Sequence, residues 1–189
     1  MNTANKITLS RIFIIPIFMF FLMADYLPYS QYIALGLFIL ASATDGIDGY
    51  IARKYNQITN FGKFIDPLAD KLLISSALIC MVQFGWISSI AVLLIIAREF
   101  MVTSLRIVAI SSGKVMAATF SGKLKMVVQI VAISILIAGH DLSFLPFVDV
   151  ITPHVDVIMQ CTVWLTVAVT LYSGIDYMAK NWKLIDFKS

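Results

Sequence analysis

The chain has 189 residues, 60% of them hydrophobic and 13% charged, with a net charge of +3. Soluble domains carry about 25% charged residues, so this composition excludes an ordinary water-soluble fold and describes a single membrane domain, with no length left for a second. The modest positive charge suits contact with anionic lipid headgroups, and nothing in the chain suggests nucleic-acid binding.

Six hydrophobic segments follow one another. The first runs from about Ile7 to Met23, with Arg11 near its start. A cleaved signal peptide is the competing reading of this stretch, but Met23-Ala24-Asp25-Tyr26 makes a poor cleavage site. Asn5, Thr8 and Arg11 are polar at helical spacing, which also allows the start to lie in the membrane interface. The second segment spans about Gln31 to Arg53 and the third about Phe61 to Gln83. The fourth covers about Trp86 to Ser111, the fifth about Phe120 to Gly139, and the sixth about Val155 to Lys180. Breaks fall at Pro28, Phe84-Gly85, Ser112-Gly113 and from Pro146 to Pro153. The fold class expected is all-α, an integral membrane bundle of six transmembrane helices.

Three connections hold no Lys or Arg: Ala24 to Ser30, Gln83 to Trp86, and Gly139 to Val155. The remaining connections and both ends hold Lys6, Arg11, Arg53, Lys54, Lys63, Arg106, Lys114, Lys123, Lys125, Lys180, Lys183 and Lys188. The positive-inside rule therefore predicts cytoplasmic termini. Segments two, three and five are charged only in the halves nearer that side, which predicts a water-accessible cavity in the inner leaflet. Cys80 and Cys161 lie in apolar segments and read as packing residues. His140 and His154 fall in an outer loop and are not expected to bind a metal.

The chemistry sits at the junction of segments two and three. Asp45 and Asp48 are three residues apart, Asp66 and Asp70 four apart, and either spacing places both carboxylates on one helix face. Four hard oxygen ligands facing one another suit Mg²⁺ or Mn²⁺, and two such cations per site would balance the four charges. Without cations, each Asp would cost roughly 2.5–3.5 kcal/mol beside lipid.

The full pattern, D-x2-D-G-x2-A-R-x8-G-x3-D-x3-D, is filled by Asp45, Asp48, Gly49, Ala52, Arg53, Gly62, Asp66 and Asp70. It resembles the signature of the CDP-alcohol phosphotransferase family. The resemblance implies a homodimer of six-helix protomers and transfer of a substituted phosphate from a CDP-linked donor. Asp45, Asp48 and Asp66 then hold metal. Asp70, the last aspartate of the motif, helps hold the second ion and is the base for the attacking hydroxyl. Gly49, one turn after Asp45, would let the nucleotide approach the backbone, and Arg53 suits a donor phosphate. Plain alternatives are close helix packing for Gly49 and Ala52, and an inside anchor for Arg53.

A further stretch, Arg98-Glu99-Phe100, Leu105-Arg106, Gly113, Gly122-Lys123-Leu124-Lys125 and Gln129, is similar to phosphatidylglycerophosphate synthases. So is the opening Asn5-x2-Thr8-x2-Arg11, in which Asn5 and Thr8 are implied donor-lipid contacts. Met126 departs from that pattern, where Thr is expected. The implied donor is CDP-diacylglycerol and the implied acceptor sn-glycerol 3-phosphate, its phosphate met by Arg106, Lys123, Arg98 and Lys125. For Arg98 a pair with Glu99 or another carboxylate is an equal reading, and for Lys125, as for Lys114, an inside anchor is the preferred one. Other acceptors, as in cardiolipin or inositol-phosphate synthases, stay open, as does a divalent-cation transporter.

Overall fold

The structure is a computed structural model that describes residues 3–24, 26–54, 60–111, 119–140 and 148–182; within these, side chains are described except at 3–6, 45–54, 60–61, 63–64, 110–111 and 148–153. The described residues form six helices and no strand: α1 (Thr3–Met23), α2 (Ser30–Lys54), α3 (Asn60–Gln83), α4 (Ser89–Ser111), α5 (Phe120–His140) and α6 (Val148–Asn181).

Every expected segment is a helix, and the differences are at the ends. α1 starts at Thr3 rather than near Ile7, and α6 at Val148 rather than near Val155. Pro153 was expected to break the chain. It lies in the second turn of α6, withdraws only the bond to the carbonyl four residues back, and the helix continues through it. His154 is accordingly a helix residue and not part of a loop. Pro16 and Pro67 sit inside α1 and α3. Apolar bundles tolerate this where neighbouring helices and side chains satisfy the freed carbonyls. Ser88 caps α4, its hydroxyl accepting from the Ile90 amide at 3.3 Å. Thr119 caps α5 in the same way through the Gly122 amide at 3.3 Å.

Two of these helices contain stretches long and apolar enough to cross a membrane, Phe120–His140 and His154–Asn181. Among the residues with described side chains, α1 and α2 hold the shorter apolar runs Ile7–Met23 and Ser30–Thr44. Arg98, Glu99 and Arg106 interrupt α4, and Asp66, Asp70 and Lys71 occupy the first half of α3. These charged residues lower the hydropathy of α3 and α4.

The chain divides into two compact units, Met1–Trp86 with Ile133–Thr152, and Ile87–Ala132 with Pro153–Ser189. In the first, α1 packs against α2 and α3, and α2 against α3. The buried stripe of α1 is Thr8, Arg11, Ile15, Phe18 and Leu22, spaced three and four apart. That of α2 is Ser30, Ala34, Phe38 and Ala41, and that of α3 includes Ala69, Leu73, Ala77 and Met81. Alanines in these stripes bring the backbones close, as small residues do between membrane helices. Phe18 and Phe38 meet across α1 and α2 with ring centroids 5.7 Å apart. Thr8 and Arg11, considered above for the membrane interface, are each only 1% exposed and belong to the bundle interior.

Candidate active site

The helical backbone of α2 runs without interruption to Lys54, so Asp45 and Asp48 lie on one helix, as their spacing requires. Their positions continue the buried stripe Ser30, Ala34, Phe38, Ala41 by steps of four and three. The side chains of Asp45, Asp48, Gly49, Ala52, Arg53 and Asn5 lie outside the described ones.

On α3 the side chains of Asp66 and Asp70 are described, and both are half-buried. With Ala69 and Leu73 they follow the i, i+3, i+4, i+7 rule of a single face, while Leu68 and Leu72 on the other side are 44% and 41% exposed. The two carboxylates therefore belong to the face that packs inward. Thr8 of α1 reaches this face and donates its hydroxyl proton to Asp66 Oδ1 at 2.8 Å. Arg11, one turn further along the Thr8 face, is fully buried in the same unit. Gly62, another motif position, is buried too. Among the described residues no three metal-ligating side chains cluster, and Asp45 and Asp48 are outside that set. The donor chemistry at hand is carboxylate oxygen, which fits hard divalent cations, and a ligating carboxylate is ordinarily itself hydrogen-bonded, as Asp66 is.

The second unit holds Arg98, Arg106, Lys123 and Lys125. Glu99 of α4 lies between two cations. Its Oε1 is 2.5 Å from Lys125 Nζ of α5 and accepts from Arg98 Nη1 at 3.1 Å. The other nitrogen, Arg98 Nη2, donates to Ser173 Oγ of α6 at 2.7 Å. Gly174 next to it leaves room for the arginine, because a Cβ there would sit 2.9 Å from Arg98 Cγ. Arg98 and Lys125 thus both meet the carboxylate of Glu99. Arg98 Nε, Gln129 Nε2 and Thr170 Oγ1, all buried donors here, have no hydrogen-bond partner among the described residues. Arg106 is exposed, donates through Nε to the Tyr177 hydroxyl at 3.2 Å, and holds its guanidinium 5.4 Å from that ring's centroid. Lys123 is exposed. Lys125, read above as a possible surface anchor, is instead buried against Glu99.

Sequence reasoning did not single out the α6 partners. Thr166, Thr170, Ser173 and Tyr177 are all buried, at steps of four, three and four along one face. That polar stripe in an apolar helix was the available signal. Asp176 was missed as well. It accepts from Ser121 Oγ near the start of α5 and from Lys180 Nζ, which ties the two helix ends together.

A cavity of about 700 Å³ lies elsewhere, where Pro28, Gln31, Phe84, Trp86 and His140 meet in the first unit. His140 stacks on Trp86 with centroids 3.7 Å apart. The cavity is at the Ser30 end of α2, on the order of 20 Å of helix away from Asp45, and takes no part in the arrangement above.

An eight-position motif carried by the end of α2 and the start of α3, with a full-length similarity to match, decides the family. A profile of the CDP-alcohol phosphatidyltransferases matches residues 1–172. The chain belongs to this family. It is an enzyme, a phosphatidyltransferase. A Bacillus subtilis protein named CDP-diacylglycerol–glycerol-3-phosphate 3-phosphatidyltransferase is 46% identical over 97% of both chains. A Rickettsia felis protein of the same name is 38% identical over 93% of each. A Mycobacterium tuberculosis protein named probable phosphatidylglycerophosphate synthase is 37% identical over 95% of this chain and 81% of its own. The phosphatidyltransferase keeps its family motif within one unit, while the match to the family extends across both.

Proposed function

We propose that the enzyme transfers phosphatidyl from CDP-diacylglycerol to the 1-hydroxyl of sn-glycerol 3-phosphate, giving phosphatidylglycerol phosphate and CMP. The observation that carries this reading is full-length similarity to relatives named for that donor and acceptor. The two units act as one catalytic domain, six helices span the membrane, and the protomers pair as a homodimer. α2, α3 and α4 are 25, 24 and 23 residues long, enough to cross about 30 Å of hydrocarbon despite their charges.

Asp45, Asp48, Asp66 and Asp70 would hold two Mg²⁺ or Mn²⁺ ions, whose charge offsets that of the donor's pyrophosphate. Gly49, Ala52 and Arg53, in the last turns of α2, meet the CDP group. Asp70 accepts the proton of the acceptor hydroxyl while its oxygen bonds to the phosphatidyl phosphorus. The bond from that phosphorus to the bridging oxygen breaks, and CMP leaves with the electron pair. The acceptor's own phosphate is met by Arg106, Lys123, Arg98 and Lys125. The cations Arg98 and Lys125 and the buried donors at Gln129 and Thr170 that have no partner among the described residues support an anion here.

Purified protein given CDP-diacylglycerol and a panel of alcohols is expected to release CMP with glycerol 3-phosphate and not with phosphatidylglycerol or inositol phosphate. Arg106→Ala or Lys123→Ala should then raise the KM for glycerol 3-phosphate about tenfold, from loss of a charge-assisted bond worth roughly 1.5–3 kcal/mol. An unchanged acceptor KM together with weaker donor binding reassigns these cations to the pyrophosphate.

The active site faces the cytoplasm, since the loop after Arg53 is on the basic side. A Cys placed at Ser143 should react in intact cells with a thiol reagent that does not cross membranes, and a Cys at Asn56 should not. Asn56 and Ser143 both lie outside the described residues. The opposite labelling pattern overturns the orientation.

A further inference from the structure

We infer that Thr8 is a positioning residue for the metal site, acting through Asp66 rather than by touching the donor lipid. This inference rests on the proposed reading of Asp66 as a metal ligand. The contact joins residues 58 apart in sequence, from α1 to the first half of α3, and its 2.8 Å length is that of a good O–H···O bond. Thr8 is only 1% exposed, so it is set in the interior and not at a surface where a lipid headgroup would reach it.

The chemistry of the pair is specific. The Thr8 hydroxyl is a donor to Oδ1 of Asp66. A carboxylate on its own turns freely about its last torsion, whose energy wells are broad. The bond from Thr8 holds that torsion, occupies one lone pair of Oδ1, and leaves Oδ2 and the remaining lone pairs for a cation. Thr8 is itself well fixed. Its branched Cβ restricts the first torsion in a helix, and its stripe packs through Arg11, Ile15, Phe18 and Leu22. Pro67 immediately follows Asp66 and cannot donate a backbone proton, so this part of α3 lacks one of its own constraints. The anchor for Asp66 comes from another helix. Hydrogen-bonded partners of metal ligands are commonly worth about 10- to 100-fold in metal affinity.

Mn²⁺ binding to the purified full-length protein, followed by loss of the free-ion electron paramagnetic resonance signal, tests this directly. Thr8→Val keeps the shape and branching but removes the donor, and it should weaken Mn²⁺ binding about 10- to 100-fold. Thr8→Ser keeps the donor and should bind Mn²⁺ close to wild type. If Thr8→Val folds poorly, shown by a lowered melting temperature without metal, Thr8→Ala removes the same donor without placing a new methyl against the carboxylate. Asp66→Asn provides the reference. Wild-type Mn²⁺ affinity in the valine and alanine variants, with loss in Asp66→Asn, overturns the inference and leaves the metal site standing. Wild-type affinity in Asp66→Asn as well overturns the reading of Asp66 as a ligand, and the inference with it. A raised KM for CDP-diacylglycerol with unchanged Mn²⁺ binding returns Thr8 to the donor pocket and also overturns the inference.

Discussion

Asp45→Asn and Asp66→Asn are each expected to abolish phosphatidyl transfer, with a loss of at least about 10³-fold in turnover. The asparagine amide keeps the size of the side chain and removes its charge. A cation shared by four carboxylates then loses a charged ligand and with it several kcal/mol of transition-state stabilisation, and about 4 kcal/mol corresponds to that factor. The position of the two residues supports the pairing. One belongs to the last turns of α2, and the other lies on the inward face of α3 against α1. Chelation should silence the wild-type enzyme in the same way, and Mg²⁺ or Mn²⁺ should restore it. Release of CMP at the full rate in excess chelator rules out the two-metal mechanism.

Asp70→Asn is expected to remove turnover while leaving more CDP-diacylglycerol binding than Asp45→Asn does. The reason is the proposed division of labour between α3 and α2. Asp70 lies one turn beyond Asp66 and is proposed to serve the acceptor hydroxyl, whereas Asp45 of α2 would help hold the metal that binds the donor. A general base contributes about 10²- to 10⁴-fold, and an amide cannot take the proton. Donor binding, measured by retention of labelled CDP-diacylglycerol in detergent, separates the two roles. Equal loss of donor binding in both variants makes Asp70 a ligand only and leaves the base to be found elsewhere.

The helices themselves were legible because their signals are local. Apolar runs of about twenty residues broken by Pro28, Phe84-Gly85 and Ser112-Gly113 mark them, and the ends of α2, α3 and α5 agree with the sequence to within a residue. The pairs Asp45–Asp48 and Asp66–Asp70 were legible for the same reason, since helical spacing alone puts each pair on one face. Starts were harder to read. Thr3 to Lys6 carry no apolar signal, yet the helix extends through them, and Pro153 gave a stop signal that the helix overrode.

What a polar residue does was less legible. Arg98 could be read as either a Glu99 partner or an acceptor contact. The structure shows the pair with Glu99 and adds Ser173, 75 residues away. Lys125 looked like an anchor near a helix end, but α4 presents Glu99 to it. Thr8 was open to reading as a membrane-interface residue, but it is buried and α3 presents Asp66 to it. In each case the deciding partner is on another helix, and no spacing within one helix predicts it.

Taken alone, the sequence determined the all-helical class, the position of each helix and the grouping of the carboxylates, because all of these follow from the periodicity of one strand of chain. Only the tertiary structure decided which side of each helix is interior. In water the apolar face marks the core, but lipid is as apolar as a core, and that cue is lost. Phe13 and Phe18 of α1 are the same residue type five positions apart, yet one is 69% exposed and the other wholly buried. Hydropathy cannot tell them apart. The packing of α1 on α2 and α3 does, and the same rotation that buries Phe18 brings Thr8 to Asp66.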